Sequence, residues 1–314
     1  MVKQTALPAL PGQNKSFLMR ILRSRELWMF CLPGIIITLI FHYWPIYGVQ
    51  IAFRDYSFRR GIWGSAWVGW DHFARFFKNP FAAQIIWNTL VISFYSLAAG
   101  FPIPIILALM LNSFRHKRYG KAIQMVTYAP HFISVVVMAG MLILFLSPRV
   151  GFVNKIIEIF GGDPVNFMGV AGAWRHIYVW SGVWQGMGWG SVVYLAALAG
   201  VNPELHEAAI VDGASKFQRI IHIDLPSILP VTIMLLILSF GSIFSVGFEK
   251  AYALQNSMNL SVSEIISTYV YKVGIIQADM SFSAAVGLFN SAVNAVLLVT
   301  VNWFAGKFSG NSLW

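Results

Sequence analysis

Residues 207–214 read Glu207-Ala208-Ala209-Ile210-Val211-Asp212-Gly213-Ala214. After eight intervening residues the chain continues with Ile223-Asp224-Leu225-Pro226, and Pro230 follows. This stretch is polar, and it lies between two apolar runs at residues 177–200 and 228–248. Each run has the roughly 20 apolar residues that a helix needs to cross a bilayer. The stretch is therefore predicted to be a loop between two membrane spans.

The first half of this loop carries the signals of a short helix. Asn202 can cap a helix whose first residue is Pro203, a position where the missing N–H costs nothing. Gly213 can take the left-handed conformation that ends such a helix near Asp212. The small side chains of Ala208 and Ala209 would let the helix lie deep in a groove of another protein. An ordinary amphipathic surface loop is the alternative.

The second half of the loop predicts another short helix. Ser215 can cap it, and it would run through residues 216–220. Leu225 and Pro226 are expected to end it before the next span begins. The whole loop is thus predicted to be a helix–turn–helix that protrudes from the membrane.

The composition of the chain indicates a membrane protein. Hydrophobic residues make up 57% of the 314 residues and charged residues only 11%, with a mean hydropathy of +0.66. Soluble domains carry roughly 25% charged residues. The net charge of +10 comes from basic residues in short loops beside apolar runs, which favours contact with anionic lipid over nucleic acid.

Six segments are long and apolar enough to span a bilayer, and none contains Asp, Glu, Lys or Arg. They are residues 28–48, 87–111, 123–147, 177–200, 228–248 and 284–306. The chain is therefore predicted to be an all-α membrane protein with six transmembrane helices and both termini on one side. Basic residues at 115–121 and in the N-terminal tail predict that this side is the cytoplasm. The first connection, residues 54–86, also holds five basic residues, which argues the other way.

This topology divides the chain into four parts. Residues 1–27 form a cytoplasmic tail with an interfacial amphipathic helix at residues 17–25. Residues 28–86 form the first span and an outer loop with short surface helices. Residues 87–306 form a core of five spans, and residues 307–314 form a cytoplasmic tail.

The loop at residues 207–230 resembles the EAA loop of ABC-importer permeases. The residues in register with that motif are Glu207, Ala208, Ala209, Asp212, Gly213, Ala214, Ile223, Leu225 and Pro226. Asn88-Thr89-Leu90, at the start of the second span, is similar to the start of the shared permease core. Pro33, Tyr43-Trp44-Pro45 and Ala52-Phe53 look like the branch that imports oligosaccharides and polysaccharide fragments. The likeness covers about residues 28–305 and implies the type I ABC importer permease fold.

The resemblance also implies partners. The chain would form a heterodimer with a second permease above two copies of an ATPase, and an extracytoplasmic binding protein would deliver the saccharide in a bacterial cytoplasmic membrane. The chain has no Gly-x-x-x-x-Gly-Lys-Ser/Thr phosphate loop, so ATP and Mg²⁺ would be bound by the ATPase. In this family the EAA loop couples the permease to that ATPase. No cofactor or metal is expected on this chain.

Polar and aromatic residues inside the spans are candidates for the translocation path, since such groups face the bundle interior. They are Trp180, Trp184, Gln185, Ser239, Ser242, Ser245, Asn290 and Asn294. The alternative for Ser, Gln and Asn is hydrogen bonding between helices. The alternative for Trp is the interfacial aromatic belt.

Two other classes of membrane protein fit the sequence less well. An ion-coupled secondary transporter usually places acidic or cationic residues inside the membrane, and the six spans have none. A membrane-embedded enzyme needs a catalytic cluster, and the sequence shows no nucleophile with a base and no metal-ligand spacing. Among ABC permeases, one for glycerol phosphate or a peptide remains an alternative.

Overall fold

The computed structural model describes residues 25–114, 117–309 and 312–313. The chain divides into two compact units, Met1–Gln50 and Ile51–Trp314. The described part of the first unit begins with α1, Arg25–Thr38, which continues through a π-helical turn, Leu39–Tyr43. The predicted interfacial helix at residues 17–25 lies, apart from Arg25, outside the described residues.

The second unit is mainly helical. Its α-helices are α2 Gly61–Gly64, α3 Asp71–Lys78, α4 Ala82–Gly100, α5 Pro102–Asn112, α6 Lys117–Tyr128, α7 Val135–Phe145, α8 Phe152–Ile159, α9 Ala171–Ala199, α10 Pro203–Val211, α11 Lys216–Arg219, α12 Leu225–Gly241, α13 Phe248–Ala253, α14 Leu260–Ser263, α15 Ile266–Tyr271 and α16 Met280–Ser309. A 3₁₀ helix, Ala129–Phe132, and two further π turns, Ile220–Asp224 and Lys272–Ile276, complete its helical part, while another 3₁₀ helix, Trp44–Phe53, begins in the first unit and ends in the second. Two strands that pair antiparallel, β1 Arg54–Ser57 and β2 Ser65–Trp67, depart from the all-α prediction.

Four helices of the described residues are long and apolar enough to cross a membrane. They are Glu26–Phe53, Ala82–Asn112, Lys216–Gly241 and Met280–Lys307. The predicted fourth span lies in α9, whose 29 residues reach about 43 Å at 1.5 Å per residue. This helix is not among the four, because its Gly, Ser, Trp and Tyr residues lower its hydropathy. The count of six spans therefore stays a prediction.

The third span predicted at residues 123–147 is not one continuous helix. Helices Arg118–Phe132 and Val135–Phe145 meet at a bend of 98°. Pro130 lies in the 3₁₀ turn before the bend, and Ser134 caps α7 by accepting a hydrogen bond from Val137 N at 3.3 Å. Counted as one broken span, the pair brings the total to five.

The core of the second unit forms around α9. Trp174 and Tyr178, near the start of α9, pack with Ile92 of α4 and Leu254. At the other end, Tyr194 and Leu198 of α9 pack with Ala108 of α5 and Ile228 of α12. A third cluster joins α3, α4 and α16 and contains Phe76, Ile85, Phe244, Phe282 and Val286. Helix α9 thus connects the loop that follows it to the centre of the unit.

Candidate coupling segment and translocation cavity

Residues 201–225, here called the loop segment, begin with the predicted first helix. Asn202 Oδ1 accepts a hydrogen bond from Glu204 N at 3.0 Å, and Pro203 is the first residue of α10. This cap satisfies one of the N–H groups that have no partner within a helix. The predicted start of the helix is confirmed.

The turn after α10 depends on Gly213. Its φ angle is +78°, in the left-handed region. Ala214 N donates to Ala209 O at 2.8 Å, and Gly213 N donates to Ile210 O at 3.0 Å. These two bonds are those of a Schellman motif, which needs a left-handed residue at the position of Gly213. The predicted left-handed glycine is confirmed.

The second half of the loop segment differs from the prediction. Ser215 caps α11 in a capping box with Gln218, as its sequence position suggests. Leu225 and Pro226, however, do not end this helix, because residues Lys216–Gly241 form one continuous helix. The π turn Ile220–Asp224 widens the helix at the point where the proline ring would otherwise clash with the preceding turn. The loop helix α11 and the next membrane helix are therefore one rod.

The loop segment presents apolar side chains to the outside. Val211 is 86% exposed and Phe217 is 69% exposed, and Leu205 and Ile210 are also exposed. The motif residues Glu207, Ala208, Asp212, Gly213, Leu225 and Pro226 are exposed as well, and Ala209 and Ala214 are half-buried. Exposed apolar surface of this kind is typical of a contact with another protein or with a membrane.

A polar cavity of about 380 Å³ lies between α4, α9, α12 and the chain that follows α12. Its lining includes Ser93, Ser96, Tyr178, Ser239, Ser242 and Ser245. A second cavity shares Gly100, Phe101, Ser239 and Ser242 with it and extends to Tyr194 and Leu235. Because they share these four residues, the two cavities are neighbours along α12 and are together called the groove here, and the predicted residues Ser239 and Ser242 line both of them.

Sequence reasoning missed four polar residues of this groove, Ser93, Ser96, Tyr178 and Tyr194. Ser93 is buried, and its Oγ has no hydrogen-bond partner among the described residues. Ser93 and Ser96 are three residues apart, a spacing that places both on one face of α4. A search for small polar residues at helical spacing within the second span would have found them.

The chain that follows α12 is unwound and lines the cavity. Phe244 N donates to Asn294 Oδ1 at 2.9 Å, and Asn290 Nδ2 donates to Phe244 O at 3.4 Å. Asn294 Nδ2 also donates to Ser245 Oγ at 3.2 Å. Asn290 and Asn294 therefore lie behind the cavity wall and hold it in place. The predicted span at residues 228–248 is wrong beyond Gly241, where α12 ends.

The remaining candidates on α9 lie away from the cavity. Trp180 Nε1 donates to the Tyr95 hydroxyl at 2.8 Å, and that hydroxyl lies 2.7 Å from His176 Nδ1. Trp180 and Trp184 are 50% and 43% exposed. Gln185 Nε2 donates to Ile133 O at 2.8 Å and so binds a carbonyl at the bend of the third span.

The described residues contain no group of three or more His, Cys, Asp or Glu side chains that could hold a metal ion.

A family model described as "Binding-protein-dependent transport system inner membrane component" matches residues 100–310, which include the loop segment, α9, α12 and most of the groove lining. The chain belongs to this family. Its members are inner-membrane transporter components and not enzymes.

Named relatives cover nearly the whole chain. Protein LplB of Bacillus subtilis (strain 168) is 41% identical over 312 residues, which are 99% of this chain and 98% of LplB. The polygalacturonan/rhamnogalacturonan transport system permease protein YteP of the same organism is 40% identical over 302 residues, 96% of this chain and 94% of YteP.

A solved structure agrees with these relatives. A chain of the bacterial alginate ABC transporter, in complex with an alginate pentasaccharide-bound periplasmic protein, is 38% identical with a TM-score of 0.87. The match covers 95% of this chain and 100% of that chain. This chain is accordingly the permease of a binding-protein-dependent ABC importer, with the type I permease fold.

Proposed function

We propose that this chain imports oligosaccharides or polysaccharide fragments through the groove along α12. Relatives at 40% and 38% identity are a permease named for polygalacturonan and rhamnogalacturonan and a chain of an alginate transporter. The observation that carries the proposal is the chemistry of the groove. Five serine residues and Tyr178 line its first cavity, and hydroxyl groups both donate and accept hydrogen bonds, as sugar hydroxyls do.

Within this path the candidate residues take different roles. Ser239 and Ser242 face the saccharide, together with Ser96. Trp180 and Trp184 do not line the groove, and as exposed side chains on α9 they would offer indole faces to a sugar ring only outside it. Asn290 and Asn294 keep the unwound wall of the cavity in place, and Gln185 supports the bend of the third span.

The loop segment is the site at which a separate ATPase acts. The motif residues Glu207, Ala208, Ala209, Asp212, Gly213, Ala214, Leu225 and Pro226 form its docking surface, together with the exposed side chains of Val211 and Phe217. Two ATPase copies would bind ATP and Mg²⁺ and move this surface when they close. A second, homologous permease completes the path as a heterodimer, and both termini of this chain are cytoplasmic.

The first test of this function is purification of the tagged chain from its native bacterial membrane. Recovery of a second permease and an ATPase is expected, and ATP hydrolysis by the complex should rise when the binding protein and its oligosaccharide are added. Recovery of the chain alone, active in uptake without an ATPase, would contradict the proposal.

The path itself is tested by filling the groove. Ser239→Phe should abolish oligosaccharide uptake while the ATPase remains bound, because Ser239 lines both cavities and the larger ring would obstruct them. Ser239→Ala leaves the groove open and is the matched control, with uptake expected to fall by no more than about 2- to 13-fold, since one hydroxyl contributes roughly 0.5–1.5 kcal/mol. Normal uptake by Ser239→Phe would exclude this route.

A further inference from the structure

A buried acidic side chain lies at the junction of the loop segment and the membrane helix. Asp224 is the last residue of the π turn, and only 3% of its surface is exposed. Its Oδ1 lies 3.2 Å from Nε2 of His206, which is on α10. This distance is within the range of an ion pair, so the contact joins opposite charges when the imidazole is protonated.

This contact crosses a gap in the packing. A cavity of about 420 Å³ lies between α10, α11 and the ends of α5 and α9, and both His206 and Asp224 line it. Arg219 lines the same cavity, and its buried Nε has no hydrogen-bond partner within the described part of the chain. Apolar side chains therefore do not fill the space between α10 and the base of α12, and the polar contact spans it.

The covalent connection between the two helices is a single tight turn. Residues 212–215 join α10 to α11, and Gly213 gives this turn its left-handed conformation. The other end of α10 is joined to α9 through residues 200–202, and a helix held by two short connections can still tilt or rotate when it is pushed. A second contact at His206, seven residues before Gly213, fixes the direction of α10 against the rod formed by residues 216–241.

We infer that His206 and Asp224 are positioning residues that lock α10 to the membrane helix, so that movement of α10 is passed to the wall of the groove. The inference rests on the proposed docking of an ATPase to the loop segment. It gives a specific reason for a buried carboxylate at this place, since a buried charge needs a partner. It also explains why α11 and α12 form one rod, because a break there would absorb the movement.

The position of α10 can be measured without any substrate. Spin labels are placed at Glu204, in the first turn of α10, and at Leu229 on α12, in the purified chain in which Cys31, the one cysteine of the sequence, is replaced by Ser. The chain without further substitutions should give one narrow distance distribution. His206→Leu and Asp224→Asn should broaden it or add a second distance, because α10 is then joined to the helix at residues 216–241 only through its connecting turn.

Two control variants separate the contact from general damage. His222→Leu removes an imidazole of the same segment whose Nδ1 lies near Gln218 O of its own helix, and it should leave the distribution narrow. The exchange His206→Asp with Asp224→His restores opposite charges and should restore the narrow distribution. Asp224→Asn keeps the shape of the side chain, so it carries the test if His206→Leu does not fold.

Transport provides the second readout. In vesicles that contain the whole complex, His206→Leu and Asp224→Asn should lower the number of saccharides imported per ATP hydrolysed at least fivefold, and the charge exchange should recover at least half of the loss. A narrow distance distribution in both single variants would overturn the inference. If the wild-type complex imports no saccharide, the proposed function fails, while the distance measurement still decides the role of His206 and Asp224.

Discussion

Substitution of Gly213 tests how the loop segment docks. Its φ angle of +78° costs an L-residue roughly 1–2 kcal/mol. No heavy atom outside the turn lies within 4 Å of the place that a Cβ would occupy. The cost of Gly213→Ala is therefore a pure backbone cost, with no steric clash. A cost of that size lowers the fraction of molecules with the native turn by a factor of at most about 5–30.

This loss should appear as weaker binding of the ATPase, because the apparent affinity falls with the fraction of the competent conformation. Gly213→Asn should lose less than Gly213→Ala, since Asn tolerates the left-handed region. Gly213→Val and Gly213→Asp should still insert into the membrane, and Gly213→Val should be the most impaired of the series in uptake, since a β-branched residue is least suited to φ > 0.

The assay is retention of the ATPase by the tagged permease at increasing salt or detergent, together with uptake in vesicles. Gly200→Ala is the matched control at the other end of the loop segment. Gly200 has a φ angle of −86°, and an added Cβ there meets one backbone oxygen at 3.4 Å, an ordinary contact. If Gly213→Ala and Gly213→Val retain the ATPase and transport as well as Gly200→Ala does, the docking geometry proposed for the loop segment is wrong.

Three further substitutions test the packing behind the groove. Gly188→Ala would place a methyl 2.1 Å from a backbone oxygen of the third span and should destabilise the protein by about 3 kcal/mol or more, whereas Gly186→Ala enters open space and should melt like the wild type. Asn294→Leu removes the hydrogen bonds to the unwound chain after α12 and should cost about 1–3 kcal/mol in thermal melting; an unchanged melting temperature would show that the wall is held by other contacts. Burial lowers the pKa of Lys250 from 10.5 to about 8. The folded protein favours the neutral amine. The free energy of unfolding is therefore highest above pH 10.5, where the amine is neutral in both states, and it decreases as the pH falls to 8, where the amine becomes protonated in the folded protein. The wild type should therefore gain up to about 2 kcal/mol between pH 8 and 9.5, and Lys250→Met should lack that gain when melting is followed against pH.

Local signals in the sequence were enough to predict the ends of the loop helices. Asn202, Pro203, Gly213 and Ser215 act on backbone groups within four residues of themselves, so their roles follow from spacing alone. The same locality explains why the apolar runs of the long helices could be found. It also explains why Ser239 could be proposed for the groove, since a polar residue in a span faces inward.

Long-range contacts decide the parts that the sequence did not predict. The bend of the third span is supported from α9, where Gln185 donates to Ile133 O and the Trp189 ring stacks on His131 at 4.8 Å. The unwound chain after Gly241 depends on Asn290 and Asn294, about 50 residues away. Hydropathy shows how apolar a segment is, but it does not show whether the helix bends or ends within that segment. The bend of the third span and the end of α12 at Gly241 were therefore both predicted as parts of continuous spans.

The π turn at Ile220–Asp224 has a consequence for how the length of this region can change. In a π turn the chain holds one residue more than an α-helix would, as shown by Leu225 N, which bonds to Ile220 O five residues back. Deleting one residue here would return the turn to α-helical spacing, and the helix after it would keep nearly the same direction relative to α10, because the π turn holds the extra residue as a local bulge. A deletion in the regular helix between Leu225 and Ser239 would instead rotate Ser239 and Ser242 by about 100°, away from the groove, although no residue lining it had changed. The position of a one-residue deletion within Lys216–Gly241 therefore decides whether the groove keeps its hydroxyls.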